Sequence, residues 1–178
     1  MAVTDMVYYP DPVLRTPCTD VEEFDMDLIE LVGSLKDTLQ YWGGLGLAAP
    51  QIGSTDRVFI LNKALLEDAN TEEFEAMIFV NPRIIEKGGQ EEFQEGCLSM
   101  PGVTSKVKRA LYVNVRAQNI AGEVFEHEAT GYTAAAIQHE LDHLDGVMYI
   151  DHISNLQRRL VMKKYRKVHK KHIRNRDK

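Results

Sequence analysis

Long apolar segments and export signals are absent from this sequence. It contains no run of 18 or more apolar residues, the length that a membrane-spanning helix requires. Its first stretch, MAVTDMVYYPDPVL, has neither the basic start nor the continuous apolar stretch of a secretory signal. We therefore expect a cytoplasmic protein with no membrane partner.

Cysteines and linkers are also scarce. Cys18 and Cys97 are the only two cysteines, too few for a disulfide framework, so we expect both to be thiols. The sequence has no internal repeat, low-complexity tract or linker rich in Pro, Gly or Ser. Since 178 residues, 44% of them hydrophobic, can bury one substantial core, we predict a single domain over residues 1–178.

Acidic residues are almost missing from the C-terminal end. Residues 157–178 contain eleven Lys or Arg and one acid, Asp177, whereas residues 1–156 contain ten bases and 26 acids. Ser154 and Gln157 have the spacing of a capping box. We predict a basic helix over about residues 155–172 with a frayed tail to 178. A charge run of this kind is either a solvated helix face or a surface for RNA phosphate.

The other elements follow from residue spacing and composition. A helix is predicted with Asp25 as its cap and Gly43 just past its end, because apolar residues recur on one face at Leu28, Leu31, Val32, Leu35, Leu39 and Trp42. Strands are predicted for RVFIL, AMIFVNPRIIEK, ALYVNVRAQ and VFEHEA, with NIAGE as a hairpin turn. A second helix is predicted from Tyr132 to Leu144. We expect an α+β fold, in which antiparallel or mixed β-sheets pack around this central helix between an N-terminal and a C-terminal helix.

The central helix carries the motif QHELDHLDG at residues 138–146. His139 and His143 are four residues apart, so both imidazoles can reach one ion from the same helix face. Glu140 is rotated by about 100° from His139, as about 3.6 residues per turn require, so it can flank the ion without binding it. This is the arrangement of H-E-x-x-H metal hydrolases, in which the glutamate is a general base. The alternative is a solvated face on which two histidines happen to be four apart.

A catalytic site of this type needs a third protein ligand. No Glu follows Glu140, and Tyr149 stands where the extended H-E-x-x-H-x-x-G-x-x-H motif has its third histidine. The remaining candidates are Cys97, His127, Asp151 and His152. Cys97 lies in QEGCLSMPG, where glycine and proline allow a sharp turn and a metal would hold the sulfur as thiolate. A buried, inert Cys97 agrees with the residues equally well.

Three stretches occur in one order along the chain: GLGLAAPQ at 44–51, EGCLS at 95–99 and QHELDH at 138–143. Together they resemble the three motifs of peptide deformylases, and YPDPVLR and the terminal helix extend the resemblance over most of the chain. It implies that Cys97, His139 and His143 bind one divalent metal, typically Fe(II), with zinc, nickel or cobalt as alternatives. Two nitrogens and one sulfur suit zinc and iron alike.

The resemblance also implies the reaction, which is removal of the N-formyl group from the N-terminal formyl-methionine of newly synthesised polypeptides, with release of formate. Glu140 would take a proton from the attacking water and return it to the leaving amine. The Gln51 amide and the Leu98 backbone N–H would stabilise the oxyanion, while Gly46 lets its loop approach the substrate. The basic C-terminal helix would dock the enzyme on the ribosome.

A pocket for the methionine side chain is expected beside the metal. We predict its substrate-binding residues at positions in or beside the motifs: Leu45, Gly46, Phe93, Glu95, Tyr132, Ala135 and Ala136. Glu95 is expected to support the site, and the two alanines predict a wall of little bulk. The stretch VTSKVKRA, which follows the second motif, is interpreted as a solvated basic segment. The alternative is that Lys106, Lys108 or Arg109 contacts the substrate backbone.

Two other functions are compatible with parts of the sequence. An H-E-x-x-H metallopeptidase is disfavoured because the downstream glutamate is missing. A non-enzymatic ribosome-binding or RNA-binding module would require a purely structural HELDH.

Overall fold

The computed structural model describes residues 3–66 and 73–176. This part of the chain contains three α-helices and seven β-strands. In chain order they are α1 (Met26–Trp42), β1 (Gly46–Ala48), β2 (Val58–Asn62), β3 (Ala76–Gly88), β4 (Glu91–Cys97), β5 (Met100–Arg109), β6 (Tyr112–Gln118), β7 (Val124–Thr130), α2 (Gly131–Leu144) and α3 (Asn155–Arg176). None of the helices within these ranges is long and apolar enough to cross a membrane. The predicted α+β class is confirmed.

The strands form two antiparallel sheets. Five of them form one sheet in the order β1-β2-β3-β6-β7, while β4 and β5 pair only with each other. The predicted turn between β6 and β7 is confirmed, because the Asn119 N–H donates to the Glu123 carbonyl at 2.9 Å.

The β4–β5 hairpin was not predicted. The interpretation of VTSKVKRA as a solvated segment is correct for Lys106 and Lys108 but wrong for Arg109, which is buried. This stretch lies in β5 and the residue that follows it, and Val107 and Arg109 point inward while Lys106 and Lys108 are exposed. Charged residues that alternate with small or apolar ones obscured the strand.

The five-stranded sheet is covered by a helix on each face. Successive residues of β2 point to opposite sides, as in any strand. Val58 and Ile60 therefore pack with α1, and Phe59 and Leu61 pack with the cluster that includes α2. Helix α2 thus packs against the sheet and also contacts β5 of the β4–β5 hairpin.

Both ends of α1 are as predicted. The Asp25 carboxylate accepts hydrogen bonds from two free N–H groups of the first turn, and the chain leaves the helix at Gly43 with φ 68°. An Asp cap satisfies donors that have no partner within a helix, and glycine adopts a positive φ without strain. The next segment, for which no element was predicted, forms the short strand β1 and a 3-10 turn at Ala49–Ile52.

Helix α3 begins at the predicted capping box. The Gln157 N–H donates to Ser154 Oγ at 3.3 Å, and the Ser154 N–H donates to Gln157 Oε1 at 3.1 Å. The helix continues through Arg176, four residues past the predicted end at 172, since no proline or glycine interrupts it there. The last two residues of the predicted frayed tail, 177–178, lie outside the described residues.

Candidate active site

Three potential metal ligands converge where α2 meets the β4–β5 hairpin. His139 and His143 come from α2, and Cys97 is the last residue of β4. The ligand atoms of these three residues all lie within 4.8 Å of one another, and Cys97 Sγ is 3.2 Å from His143 Nε2. The hairpin therefore brings a thiol to the histidine pair, and two nitrogens with one sulfur are donors that suit a divalent transition metal.

The other candidates for a third ligand lie elsewhere. His127 packs edge-on against Phe79, with ring centroids 5.9 Å apart. His152 lies beside Asp142, and Asp151 pairs with Arg15. These residues have structural partners, so the convergence selects Cys97.

The two histidines differ in their surroundings. His139 Nδ1 is 2.9 Å from Glu95 Oε2, which directs the Nε2 side of this ring toward the cysteine. His143 is 1% exposed, and its Nδ1 has no hydrogen-bond partner among the described residues. Burial and the nearby cationic groups lower the pKa of His143 well below its usual range, which favours the neutral imidazole that binds metals.

Glu95 and Arg109 form a buried ion pair behind His139. Arg109 Nε lies 2.7 Å from Glu95 Oε1, and Arg109 Nη2 lies 2.9 Å from Glu95 Oε2. Burial alone would raise the pKa of Glu95, but hydrogen bonds from Arg109 and His139 lower it to about 2. Glu95 is therefore not an exposed acid, and each of its oxygens already has a partner.

Arg109 also connects the hairpin to α2. Its Nη1 lies 2.6 Å from Asp142 Oδ2, and the Arg109 side chain is only 4% exposed. Sequence reasoning missed Arg109 and Asp142. A signal was present, because Arg109 is two residues after Val107 and shares its inward-facing side of β5.

Glu140 lies beside the convergent ligands with one oxygen unused. The residue is 4% exposed, and its Oε2 has no hydrogen-bond partner in the described part of the chain. Burial raises the pKa of Glu140 to about 7. Gly46 of β1 lies against this carboxylate so closely that a Cβ on Gly46 would be 2.6 Å from Glu140 Oε1.

Gln51 is held with its amide nitrogen toward the cysteine. Gln51 Oε1 accepts a hydrogen bond from the Ala48 N–H at 2.9 Å, which fixes the orientation of the amide. Gln51 Nε2 lies 3.4 Å from Cys97 Sγ and 3.3 Å from Ser99 Oγ. Leu98 follows Cys97 at the turn of the hairpin and is half-buried.

A cavity of about 510 Å³ opens beside these groups. All seven residues predicted for the side-chain pocket line it: Leu45, Gly46, Phe93, Glu95, Tyr132, Ala135 and Ala136. Further lining residues that sequence reasoning missed come from β5 and include Met100, Val103 and Thr104. They were missed because the hairpin itself was not predicted.

Comparison with known proteins gives consistent matches over most of the chain. The family model described as polypeptide deformylase matches residues 3–159. A protein named peptide deformylase from Acidobacterium capsulatum is 42% identical over 168 residues, which is 94% of this chain and 96% of that protein.

Solved structures of proteins with the same name also match this chain. A peptide deformylase from Legionella pneumophila superposes with a TM-score of 0.89 at 36% identity, covering 97% of this chain and 99% of the other. A peptide deformylase from Thermotoga maritima has a TM-score of 0.79 at 35% identity and covers 86% of this chain and 99% of its own.

Proposed function

Because this chain belongs to the polypeptide deformylase family, we propose that the cavity beside Glu140 is its active site and that Cys97, His139 and His143 hold one divalent metal. The reaction is hydrolysis of the N-formyl group from the N-terminal formyl-methionine of newly synthesised polypeptides, which releases formate. The observation that best supports the site is the convergence of three ligand atoms beside a buried carboxylate with an unused oxygen.

The proposed chemistry divides between the metal and the residues of the chain. A divalent metal at this donor set supplies Lewis acidity. Glu140 takes a proton from the attacking water at its unused Oε2 and returns it to the amine nitrogen as the formyl group leaves. One side chain therefore serves as base and then as acid.

In this proposal, two donors stabilise the negative charge that develops on the formyl oxygen. The first is Gln51 Nε2, whose direction is fixed because Gln51 Oε1 already accepts from Ala48. The second is the Leu98 backbone N–H at the hairpin turn. Donors that are oriented before the reaction stabilise an oxyanion more than mobile donors do.

Glu95 and the side-chain pocket have different roles in this proposal. Glu95 is a positioning residue for His139, because its carboxylate lies between that ring and Arg109. The methionine side chain occupies the cavity between the hairpin and α2, where Ala135 and Ala136 leave room for it.

Substitution of Gly46 by alanine should impair catalysis without removing the metal. The new Cβ would lie 2.6 Å from Glu140 Oε1 and 2.7 Å from Leu61 Cδ2, so the carboxylate or the strand must move. Displacement of a catalytic group by about 1 Å can cost about 10²-fold, and we expect kcat/KM to fall by about that factor. Gly33→Ala is a matched control, since its Cβ would have no neighbour within 4 Å. Equal activity of the Gly46→Ala variant and the parent would contradict the proposed placement of Glu140.

We further propose Fe(II) as the native metal, with zinc, nickel or cobalt able to occupy the same donors. The chain should bind one metal ion and, when loaded anaerobically with Fe(II), release formate from a short formyl-methionyl peptide. Removal of the metal by a chelator should abolish formate release, and reloading should restore it. Protein that binds one metal per chain and releases no formate would refute the proposed function while leaving the metal site intact.

The basic face of α3 supports a further part of the proposal, docking on the ribosome at the emerging chain. Val161 and Tyr165 face the core, while Arg159, Lys163 and Arg166 are exposed on the outer side. This division leaves the charges of Arg159, Lys163 and Arg166 on the outer side of the helix, where they could meet RNA phosphate. We also propose that the protein is cytoplasmic and acts as a single catalytic domain over residues 1–178.

Replacement of Arg159, Lys163 and Arg166 together by glutamine should weaken ribosome binding and flatten its dependence on salt, because fewer counterions are released. Co-sedimentation with ribosomes over a range of salt concentrations measures both effects. Glutamine at Lys87, Lys108 and Arg116, which are exposed and lie outside α3, is the charge-matched control. If both variants lost the same amount of ribosome affinity, the attraction would be non-specific and docking through α3 would be refuted.

A further inference from the structure

His152, a candidate ligand that lies outside the proposed metal site, begins a series of hydrogen bonds that leads to His139. His152 Nε2 lies 2.7 Å from Asp142 Oδ2, and the same oxygen lies 2.6 Å from Arg109 Nη1. Arg109 in turn contacts Glu95, whose Oε2 is 2.9 Å from His139 Nδ1. Three charged side chains therefore connect an exposed histidine to a proposed metal ligand.

The contact between His152 and Asp142 has a defined direction. The Asp142 carboxylate pairs with the Arg109 guanidinium, and an ionised carboxylate only accepts hydrogen bonds. His152 Nε2 is therefore the donor. A neutral imidazole with its proton on Nε2 is sufficient for this contact.

The position of His152 is fixed by the buried residues that precede it. Tyr149 and Ile150 are 1% and 0% exposed, and His152 directly follows the 3-10 turn that contains them. The His152 backbone N–H donates to the Tyr149 carbonyl at 3.2 Å. His152 can therefore hold the Asp142 side chain in place rather than follow its movement.

Contact with the substrate does not account for His152. This residue is not among the described residues that line the active-site cavity. It lines a second cavity, of about 600 Å³, together with Asp142 and Arg109. A role of His152 in the reaction must therefore pass through its hydrogen-bond partners.

Arg109 is the side chain through which such a role can reach the metal site. Its Nε and Nη2 contact Glu95, and its Nη1 contacts Asp142, so the guanidinium is held from two sides. Glu95 Oε2 is shared between Arg109 Nη2 and His139 Nδ1. Without His152, the Asp142 side chain, which is 20% exposed, can turn toward water and release Nη1. The guanidinium would then be free to pivot, and the oxygen that orients His139 would move with it.

We propose that His152 is a positioning residue for His139, which it holds through the three charged side chains between them. Removal of the direct partner of a metal-binding imidazole typically lowers metal affinity by about 10–100-fold. His152 acts three contacts further from the metal, so its effect is smaller. The inference rests on the proposed function, because it requires a metal at His139.

The test uses Co(II), whose absorption spectrum depends on the arrangement of its ligands. Co(II) affinity is measured by competition with a chelator, and the spectrum is recorded for each saturated protein. His152→Ala should bind Co(II) about three- to tenfold more weakly than the parent and should show a shifted spectrum. His152→Gln, whose amide nitrogen can donate to Asp142, should restore the parent affinity and spectrum.

A double-mutant cycle tests whether His152 acts through Arg109. In an Arg109→Met background the connection to Glu95 is missing, so His152→Ala should cause no further loss of affinity. Arg109→Lys, which cannot make the forked contact, serves as the background if Arg109→Met does not fold. A loss as large as in the parent background would mean that His152 supports the fold in general, which would overturn the inference.

Lys63→Ala is the matched control. Lys63 also donates to a carboxylate, that of Glu75 at 2.9 Å, and its side chain is 35% exposed, against 36% for His152. This variant should keep the parent affinity and spectrum. The inference is overturned if His152→Ala also keeps both. Absence of formate release by a parent protein that binds Co(II) would instead overturn the proposed reaction.

Discussion

Replacement of Glu140 by glutamine is expected to lower kcat/KM by about 10²–10⁴-fold, the range usual for loss of a positioned acid–base group. Glutamine has nearly the same shape, so the packing against Gly46 is kept, but the amide can neither accept the proton of the attacking water nor return it to the amine. Formate release measured with Fe(II)-loaded protein gives the rate. Metal analysis of the same sample should give one ion per chain, since Glu140 is not among the three convergent ligands.

The control for this substitution is Glu128→Gln on β7, which removes an exposed carboxylate of the same type. It should leave kcat/KM unchanged. If Glu140→Gln retains the parent rate with full metal content, the assignment of Glu140 as acid and base is wrong. If it loses the metal, Glu140 belongs to the ligand set.

Replacement of Arg109 by methionine is expected to have the largest effect on stability. Methionine has an unbranched side chain of similar length, but it carries no charge. Glu95 and Asp142 would therefore lose the guanidinium group that neutralises them. The Arg109 and Glu95 side chains are 4% and 8% exposed, and removing one partner of a buried ion pair typically costs about 3–5 kcal/mol. Denaturant unfolding of the metal-free protein measures this loss without a contribution from metal binding.

A second measurement separates the role of Arg109 at the site from its role in packing. Glu95 orients His139, so loss of Arg109 should also weaken metal affinity by about 10–100-fold, as is usual when a partner of a metal ligand is removed. Arg109→Lys keeps the charge but cannot make the forked contact, and we expect an intermediate result. Arg116→Met is the matched control, because Arg116 pairs with Glu126 on the exposed face of the sheet. An Arg109→Met variant as stable as the parent would refute the buried pair.

Residues that lie close together in sequence made the helical part of the site predictable. The helical spacing of His139, Glu140 and His143 predicts that these side chains lie around one point, because positions i and i+4 share a face of the helix. This prediction does not depend on the position of any strand. The Asp25 cap and the capping box at Ser154 were predictable for the same reason, because each is completed within three residues. Local geometry alone determines these features.

The third ligand could not be obtained in this way. Cys97 lies 46 residues before His143, and the residues around it agree equally with an inert thiol. The resemblance to deformylases selected it, and the antiparallel pairing of β4 with β5 is what carries the sulfur to α2. Arg109 was misread for a related reason, because its burial depends on a hairpin that the alternating charges concealed.

The amino-acid sequence alone was enough to predict the helices and their caps, four of the five strands of the large sheet, the histidine pair with its glutamate, and the basic C-terminal helix. Each of these features depends on contacts within one helical turn or on the alternation of inward-facing and outward-facing side chains along one strand. The packing of distant segments was needed to show that the Cys97 sulfur meets that pair and that Glu95 and Arg109 are buried behind it. These features depend on packing between segments far apart in the chain, where burial excludes water and fixes the distances on which the chemistry depends.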